Sequence, residues 1–309
     1  MKFNFEQPNK ENSRRKFIQQ LSVLGASLFL PKSEERKNNE TIENLCINPR
    51  EVWDTKWKEI KKQYEIPLGG KFNVNVEGKD YQKFASALSY IKHENKELKE
   101  VYKRIVIHHS ALESKKNVLE QVEGVRDFHI SKRSFDDIAY HFLIGKNGEI
   151  FEGRPIDRLG SNAGFTKESE DYFKKYLPEK VKDLKPGEEG YEERLMHYKK
   201  AIRQDPDYGS IGIVVLGNFE TEDKPTEIQL ESLKNLLNNL KGQYEIPKDN
   251  MIFHNEVKEK VVKASGKSLA SPITACPGKE LVKVFSKEVY DKLNPDTEEA
   301  LCKSILIEN

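Results

Sequence analysis

The stretch IAYHFLIGKNGEIFEG, residues 138–153, predicts a β-hairpin. Two runs rich in aromatic and β-branched residues flank Lys146-Asn147-Gly148, and runs of this composition favour strands. The Asn-Gly pair readily adopts the positive φ angles that a tight turn needs. We therefore expect a fold built around a sheet that contains this hairpin.

Further strands and helices alternate along the chain. The apolar runs over residues 101–109 and 210–219 predict buried strands, and a third, short strand is predicted to end at His254. Between the last two, leucines recur at helical spacing from Ile228 to Leu240. This alternation predicts an α/β fold with a central β-sheet flanked by helices.

Composition limits the classes to which the chain could belong. Its 309 residues, 36% hydrophobic and 33% charged, suffice for one sizeable domain with appendages. The formal net charge of +1 gives no reason to expect nucleic acid as a partner. Cys46 and Cys302 could pair outside the cytoplasm or could be two unrelated thiols.

The N-terminus resembles an export signal. Ser13-Arg14-Arg15 is followed by Lys-Phe-Ile and by a short apolar stretch over residues 21–30, as in twin-arginine signals. The alternative is a basic amphipathic start to an ordinary helix. On the first interpretation, residues 1–31 direct export to the periplasm or cell wall, and they contact the membrane only if they are not cleaved. Residues 32–50 are charged and predict a polar linker.

Residues 51–100 predict a helical extension. Four large apolar residues fall on one helix face: Trp53, Trp57, Ile60 and Tyr64. A second stripe runs from Tyr81 to Ile91. This extension could be a small wall-binding module, or it could pack on the main domain.

The stretch RIVIHHSA, residues 104–111, sets two histidines at the end of a predicted strand. Neighbouring residues on a strand point to opposite faces, so His108 and His109 cannot easily serve one site. His108, His254 and Cys276 each lie at or just beyond a predicted strand end, and imidazole and thiolate are the usual zinc ligands. From their wide separation in sequence alone the zinc interpretation is weak, and a core histidine with a backbone hydrogen-bond partner is the more usual interpretation.

Five stretches in this order resemble the peptidoglycan recognition protein and type 2 N-acetylmuramoyl-L-alanine amidase family. They are RIVIHHSA, DIAYHFLIGKNGEIFEGR, GSIGIVVLGNF, IFHNEV and TACPG, which span roughly residues 101–285. The resemblance implies a central mixed β-sheet flanked by helices, with the amidase domain at 101–290 and a C-terminal tail at 291–309. It also implies a Zn²⁺ ion held by His108, His254 and Cys276.

The same resemblance implies the reaction and its partner. Zinc would assist hydrolysis of the amide between the lactyl group of N-acetylmuramic acid and the L-alanine of the stem peptide, in peptidoglycan or in muropeptides. Tyr140 would hydrogen-bond the attacking water or the tetrahedral intermediate, and Thr274 would help to hold the oxyanion. Two alternatives are a non-catalytic peptidoglycan receptor on the same fold and a zinc hydrolase of another amide.

Several residues depart from the family pattern. Arg154 precedes Pro155-Ile156, where many relatives have Gly-Trp, and Asn162 stands where relatives often have a histidine lining the groove. Arg154, Asn162 and His109 are candidate groove residues. His109 is expected to face away from the metal and to pack or hydrogen-bond behind the sheet. An insertion over residues 165–208 predicts helices that could form a lid or a solvated decoration, and the additional residues 258–272 predict a surface loop.

Overall fold

The computed structural model describes residues 45–64, 89–91, 95–112, 116–133, 135–176, 187–221, 223–268 and 274–297. The predicted export signal, most of the stripe from Tyr81 and the tail cysteine Cys302 lie outside these ranges. The described residues from Ile47 onward belong to one compact unit. Within the described ranges, none of the helices combines the length and the apolar character needed to cross a membrane.

The described residues contain strands and helices in alternation. The strands are β1 (Ile47–Asn48), β2 (Arg104–His109), β3 (Phe142–Ile144), β4 (Ile150–Glu152), β5 (Ser210–Val215) and β6 (Met251–Phe253). The first four α-helices are α1 (Arg50–Trp53), α2 (Trp57–Tyr64), α3 (Leu98–Val101) and α4 (Val118–Ser131). The other four are α5 (Lys167–Tyr176), α6 (Tyr191–Ile202), α7 (Glu227–Tyr244) and α8 (Lys279–Glu288).

The strands form one mixed sheet in the order β1-β4-β3-β5-β2-β6, which confirms the predicted fold class. Strands β3 and β4 pair antiparallel as the predicted hairpin, and Gly148 takes the positive φ angle at its turn. The remaining pairs are parallel. Strand β2 lies between β5 and β6, and its residues after Arg104 are all buried.

Helix α7 begins where the sequence pattern places it. The Thr226 hydroxyl accepts a hydrogen bond from the Gln229 backbone N–H, and the Gln229 side chain accepts one from the Thr226 N–H. This reciprocal cap satisfies two donors that the first helical turn leaves without a partner. The buried leucines of α7 pack toward the sheet, as their spacing predicts.

The N-terminal extension packs on the main domain. Trp53 belongs to a core cluster with Val122 and Phe151, and its indole N–H donates to the Glu152 carbonyl. The predicted single helix is divided, because the Asp54 carboxylate accepts from the Lys56 N–H in a turn between α1 and α2. The four predicted apolar residues are nevertheless all buried.

The structure corrects three boundaries. The predicted linker ends before residue 47, since β1 pairs in parallel with Ile150–Phe151. The predicted strand over 101–109 starts only at Arg104, after the helical turn α3. The predicted surface loop at 258–272 starts with a π-helical segment, Lys258–Lys263. Its Val262 packs into the core, because Val106 and Ile252 offer an apolar surface there.

The insertion over 165–208 is helical in its described part, as predicted. The Thr166 hydroxyl donates to the Gln204 carbonyl at 2.9 Å, so the two ends of the insertion are joined at its base. The Lys167 N–H donates to the Ser268 carbonyl at 2.8 Å. The insertion therefore contacts the second segment that departs from the family pattern.

Candidate metal centre

Three side chains that are far apart in sequence converge at one edge of the sheet. The ligand atoms of His108, His254 and Cys276 all lie within 4.8 Å of one another. Strands β2 and β6 are parallel neighbours with Ile107 opposite Phe253, so the residues that follow them meet at the same edge. The Asn255 N–H donates to the Cys276 carbonyl at 2.9 Å, which ties the cysteine loop to the end of β6.

The distance between two of these donors fits a tetrahedral metal ion. The Cys276 Sγ atom lies 3.6 Å from His108 Nδ1. A zinc ion bound to one nitrogen and one sulfur in tetrahedral geometry would separate these atoms by about 3.6 Å. The cluster is a set of one thiolate and two imidazole donors, which matches the ligands that zinc prefers. No other group of three or more possible metal ligands occurs in the part of the chain that the structure describes.

Burial changes the pKa values of all three side chains. Burial, together with the neighbouring His254, lowers the pKa of His108 well below its usual value, and burial lowers the pKa of His254 to about 4. Both imidazoles are therefore neutral near pH 7, which is the form that binds a metal. Burial raises the pKa of the Cys276 thiol to about 12, and a coordinated metal ion would oppose that shift by stabilising the thiolate.

Strand β2 and the loop before α8 together position the cysteine. The His109 backbone N–H donates to Cys276 Sγ at 3.3 Å. The Thr274 hydroxyl accepts from the Cys276 N–H at 3.1 Å, which fixes the turn that carries the thiol. Thr274, predicted from the resemblance to hold the oxyanion, lies two positions before Cys276 in the sequence. Because its hydroxyl accepts this hydrogen bond, its own proton is still available for donation.

Tyr140 lies beside the cluster. Its ring centroid is 4.9 Å from that of His108 and 5.4 Å from that of His129. Burial, together with the nearby Cys276, raises the pKa of Tyr140 above its usual value, so its hydroxyl is protonated near pH 7. His129 stacks on Phe135 and accepts from the Ala139 N–H, so it supports the tyrosine from behind.

The other two histidines near the sheet face away from the cluster. The His109 ring accepts from the Phe219 N–H at 3.2 Å and packs against the Phe219 ring. The His141 ring accepts from the Gly212 N–H and donates to the Arg158 carbonyl, each at 2.9 Å. The alternation of side chains along a strand accounts for the positions of His108 and His109.

The structure places two of the predicted groove residues elsewhere. Arg154 is fully buried because its acceptors lie in the interior: it donates to the Ile138 carbonyl at 2.9 Å and to the Asp136 carboxylate at 3.2 Å. Asn162 is also buried, and its Oδ1 lies 3.0 Å from His108 Nε2. Asn162 therefore contacts a metal-ligand candidate from behind and does not line a groove.

One further residue of this region, Asp207, was not predicted from the sequence. Asp207 is buried, and one of its oxygens accepts from the N–H groups of Asn162 and Ala163, each at 2.9 Å. Its only signal in the sequence is an aspartate in a turn directly before a buried strand, which is an ordinary position for aspartate. The contact with Asn162 spans 45 residues and requires the folded chain.

Comparison with known proteins points to one family. Residues 98–279 match the family model described as N-acetylmuramoyl-L-alanine amidase. Peptidoglycan-recognition protein SD of Drosophila melanogaster is 26% identical over 159 residues, which are 51% of this chain and 62% of that protein. Peptidoglycan-recognition protein LB of the same species is 25% identical over 202 residues, which are 63% of this chain and 62% of that protein. The match thus spans less than two thirds of the length of these relatives.

Solved structures are similar to this chain at lower sequence identity. The crystal structure of Drosophila peptidoglycan recognition protein SD is 21% identical, with a TM-score of 0.43, and the alignment covers 79% of this chain and 94% of that one. N-acetylmuramoyl-L-alanine amidase LysC from Clostridium intestinale URNW is 22% identical, with a TM-score of 0.37, and the alignment covers 62% of this chain and 87% of that one.

Proposed function

Because the chain belongs to the N-acetylmuramoyl-L-alanine amidase family, we propose that it is a zinc-dependent amidase that acts on peptidoglycan or muropeptides. The bond that it would hydrolyse is the amide between the lactyl group of N-acetylmuramic acid and the L-alanine of the stem peptide. The observation that carries this proposal is the convergence of His108, His254 and Cys276. Three protein ligands leave a fourth position open, which is typical of catalytic zinc sites.

The two imidazoles and the thiolate would hold the zinc ion. When bound, zinc would polarise the amide carbonyl and make a water molecule a better nucleophile near neutral pH. One thiolate and two neutral imidazoles leave the centre with a net charge near +1, which suits a developing negative charge on the carbonyl oxygen.

Two hydroxyl groups would act on the substrate. The Tyr140 hydroxyl is protonated beside His108, so it would donate a hydrogen bond to the oxygen that becomes negative in the tetrahedral intermediate. The Thr274 hydroxyl already accepts from the Cys276 N–H and would use its own proton for a second donation to the same oxygen.

The test combines metal content with the analysis of products. Purified full-length chain is assayed for zinc and incubated with purified sacculi, and the soluble products are identified by mass. We expect bound zinc and the release of stem peptides that begin with L-alanine. Both should be lost in Cys276→Ser and retained in Cys46→Ser, which changes an exposed cysteine and is the matched control.

Other outcomes would identify the alternatives. Binding to sacculi without release of peptides would indicate a non-catalytic receptor, which agrees with the names of the relatives. Zinc binding without cleavage of the bond between the lactyl group and L-alanine, but with cleavage of other soluble amides, would indicate a zinc hydrolase of another amide.

Export by the twin-arginine route is also part of the proposal. It rests on Arg14 and Arg15 before the short apolar stretch, which lie outside the described residues. Replacing both arginines by lysine should retain the protein in the cytoplasm, and cell fractionation would measure this. Unchanged export of the double variant would contradict the twin-arginine interpretation.

A further inference from the structure

We propose that Asn162 is a positioning residue of the metal centre, whose side-chain amide fixes the tautomer and the ring orientation of His108. This inference rests on the proposed zinc-dependent function. The observation behind it is that Asn162 Oδ1 lies 3.0 Å from His108 Nε2, on the side of the ring opposite the cluster, in a contact between two buried side chains.

The amide has one orientation that satisfies its neighbours. Asn162 Nδ2 lies 3.5 Å from the Ala139 carbonyl oxygen, which can only accept a hydrogen bond. The oxygen of the amide therefore faces His108. An amide oxygen can only accept, so it requires a proton on His108 Nε2.

That proton determines which nitrogen can bind a metal. A neutral imidazole protonated at Nε2 has its lone pair on Nδ1, and His108 Nδ1 is the atom that lies 3.6 Å from Cys276 Sγ. Partners behind a ligating histidine fix its tautomer and orientation, and their loss typically weakens metal binding by about 10–100-fold. Asn162 is in the position to act in this way.

Two glycines provide the space for the amide. A Cβ atom added to Gly212 would lie 2.5–2.7 Å from the amide atoms of Asn162, and one added to Gly160 would lie 2.3 Å from Nδ2. The φ angles of both residues lie outside the left-handed region, so space alone requires glycine at these positions. Any side chain on Gly212, in strand β5, would displace the amide from His108.

The backbone of Asn162 is held by the end of the insertion. Asp207, near the C-terminal end of the insertion, accepts from the N–H groups of Asn162 and Ala163. This end of the insertion therefore holds the backbone of the residue that contacts His108.

Zinc affinity of the full-length protein, measured by competition with a chelator, tests this inference. Asn162→Leu removes the acceptor at similar size, and we expect about 10–100-fold weaker binding. Asn162→Asp restores an acceptor and should recover most of the affinity. Thr166→Val is the matched control: it removes a buried hydrogen bond at the base of the same insertion without touching His108, so it should lower thermal stability and leave zinc affinity unchanged.

A double-substitution cycle makes the test independent of folding defects. Gly212→Ala should weaken zinc binding in the wild-type background, because the added methyl group displaces the amide. In an Asn162→Ala background the same change should have little further effect, since the displaced group is absent. The absorption spectrum of the cobalt-substituted protein should change in Asn162→Leu and not in Thr166→Val.

The outcomes separate this inference from the proposed function. Equal zinc affinity in wild type and Asn162→Leu would overturn the inference alone, as would an equal penalty for Gly212→Ala in both backgrounds. A wild-type chain without zinc affinity would overturn the proposed function and this inference with it.

Discussion

A buried ionic cluster joins the N-terminal extension to the sheet domain. The Arg50 guanidinium is 1% exposed and donates to Asp54 at 2.7 Å, to both oxygens of Asp137 at 2.6 and 3.2 Å and to the Gly153 carbonyl at 2.5 Å. Arg126 pairs with the other oxygen of Asp54. Each of these four charged residues therefore has an ion-pair partner from a distant part of the chain.

Replacing Arg50 with methionine removes the charge and keeps most of the volume between Trp53 and Trp57, whose ring centroids lie 5.0 and 4.9 Å from the guanidinium. Asp137 would retain the Tyr64 hydroxyl and a backbone N–H as donors, but it would lose both hydrogen bonds from the Arg50 guanidinium. Removing one partner of a buried ion pair typically costs about 3–5 kcal/mol, because the remaining charge stays buried. We expect Arg50→Met to lower the free energy of unfolding by that amount.

Chemical denaturation followed by tryptophan fluorescence measures the effect. The chain has two tryptophans, and both contact Arg50, so the signal reports this segment directly. Lys56→Met is the matched control: Lys56 pairs with Asp127 at 2.8 Å, but both side chains are about half exposed, so we expect a loss of at most about 1 kcal/mol. If Arg50→Met were as stable as Lys56→Met, the extension would not belong to the cooperative fold of the domain.

Three further substitutions test other parts of the structure. Burial lowers the pKa of His141 from 6.5 to about 4, so as the pH falls the unfolded chain binds a proton at His141 before the folded chain does. The free energy of unfolding should therefore fall by about 3 kcal/mol between pH 6.5 and pH 4. His141→Gln should reduce this pH dependence in denaturation curves taken across that range. Tyr140→Phe should leave zinc affinity unchanged and reduce the rate of stem-peptide release by about 10²–10⁴-fold, and an unchanged rate would exclude its proposed role. Thr274→Val removes the acceptor of the Cys276 N–H and should cost about 1 kcal/mol of unfolding free energy, whereas Thr274→Ser should restore it.

Local patterns in the sequence determined the fold class and the elements that carry the site. The hairpin over 138–153, strand β5 and helix α7 were predictable because turn residues, apolar runs and helical spacing act between near neighbours. The three residues that the structure brings together, His108, His254 and Cys276, were named through motif resemblance. Spacing alone left them open, because two of them are 146 residues apart.

Only the tertiary structure decided how buried polar residues are partnered. Arg154 and Asn162 were expected in a groove, yet the first donates to interior carbonyls and to the Asp136 carboxylate, and the second contacts His108. Arg50 was assigned to a linker, yet it is enclosed by two carboxylates and two indole rings. The physical reason is that arginine and asparagine suit a solvated surface as well as a satisfied interior. Which of the two they occupy depends on acceptors that folding brings from distant parts of the chain.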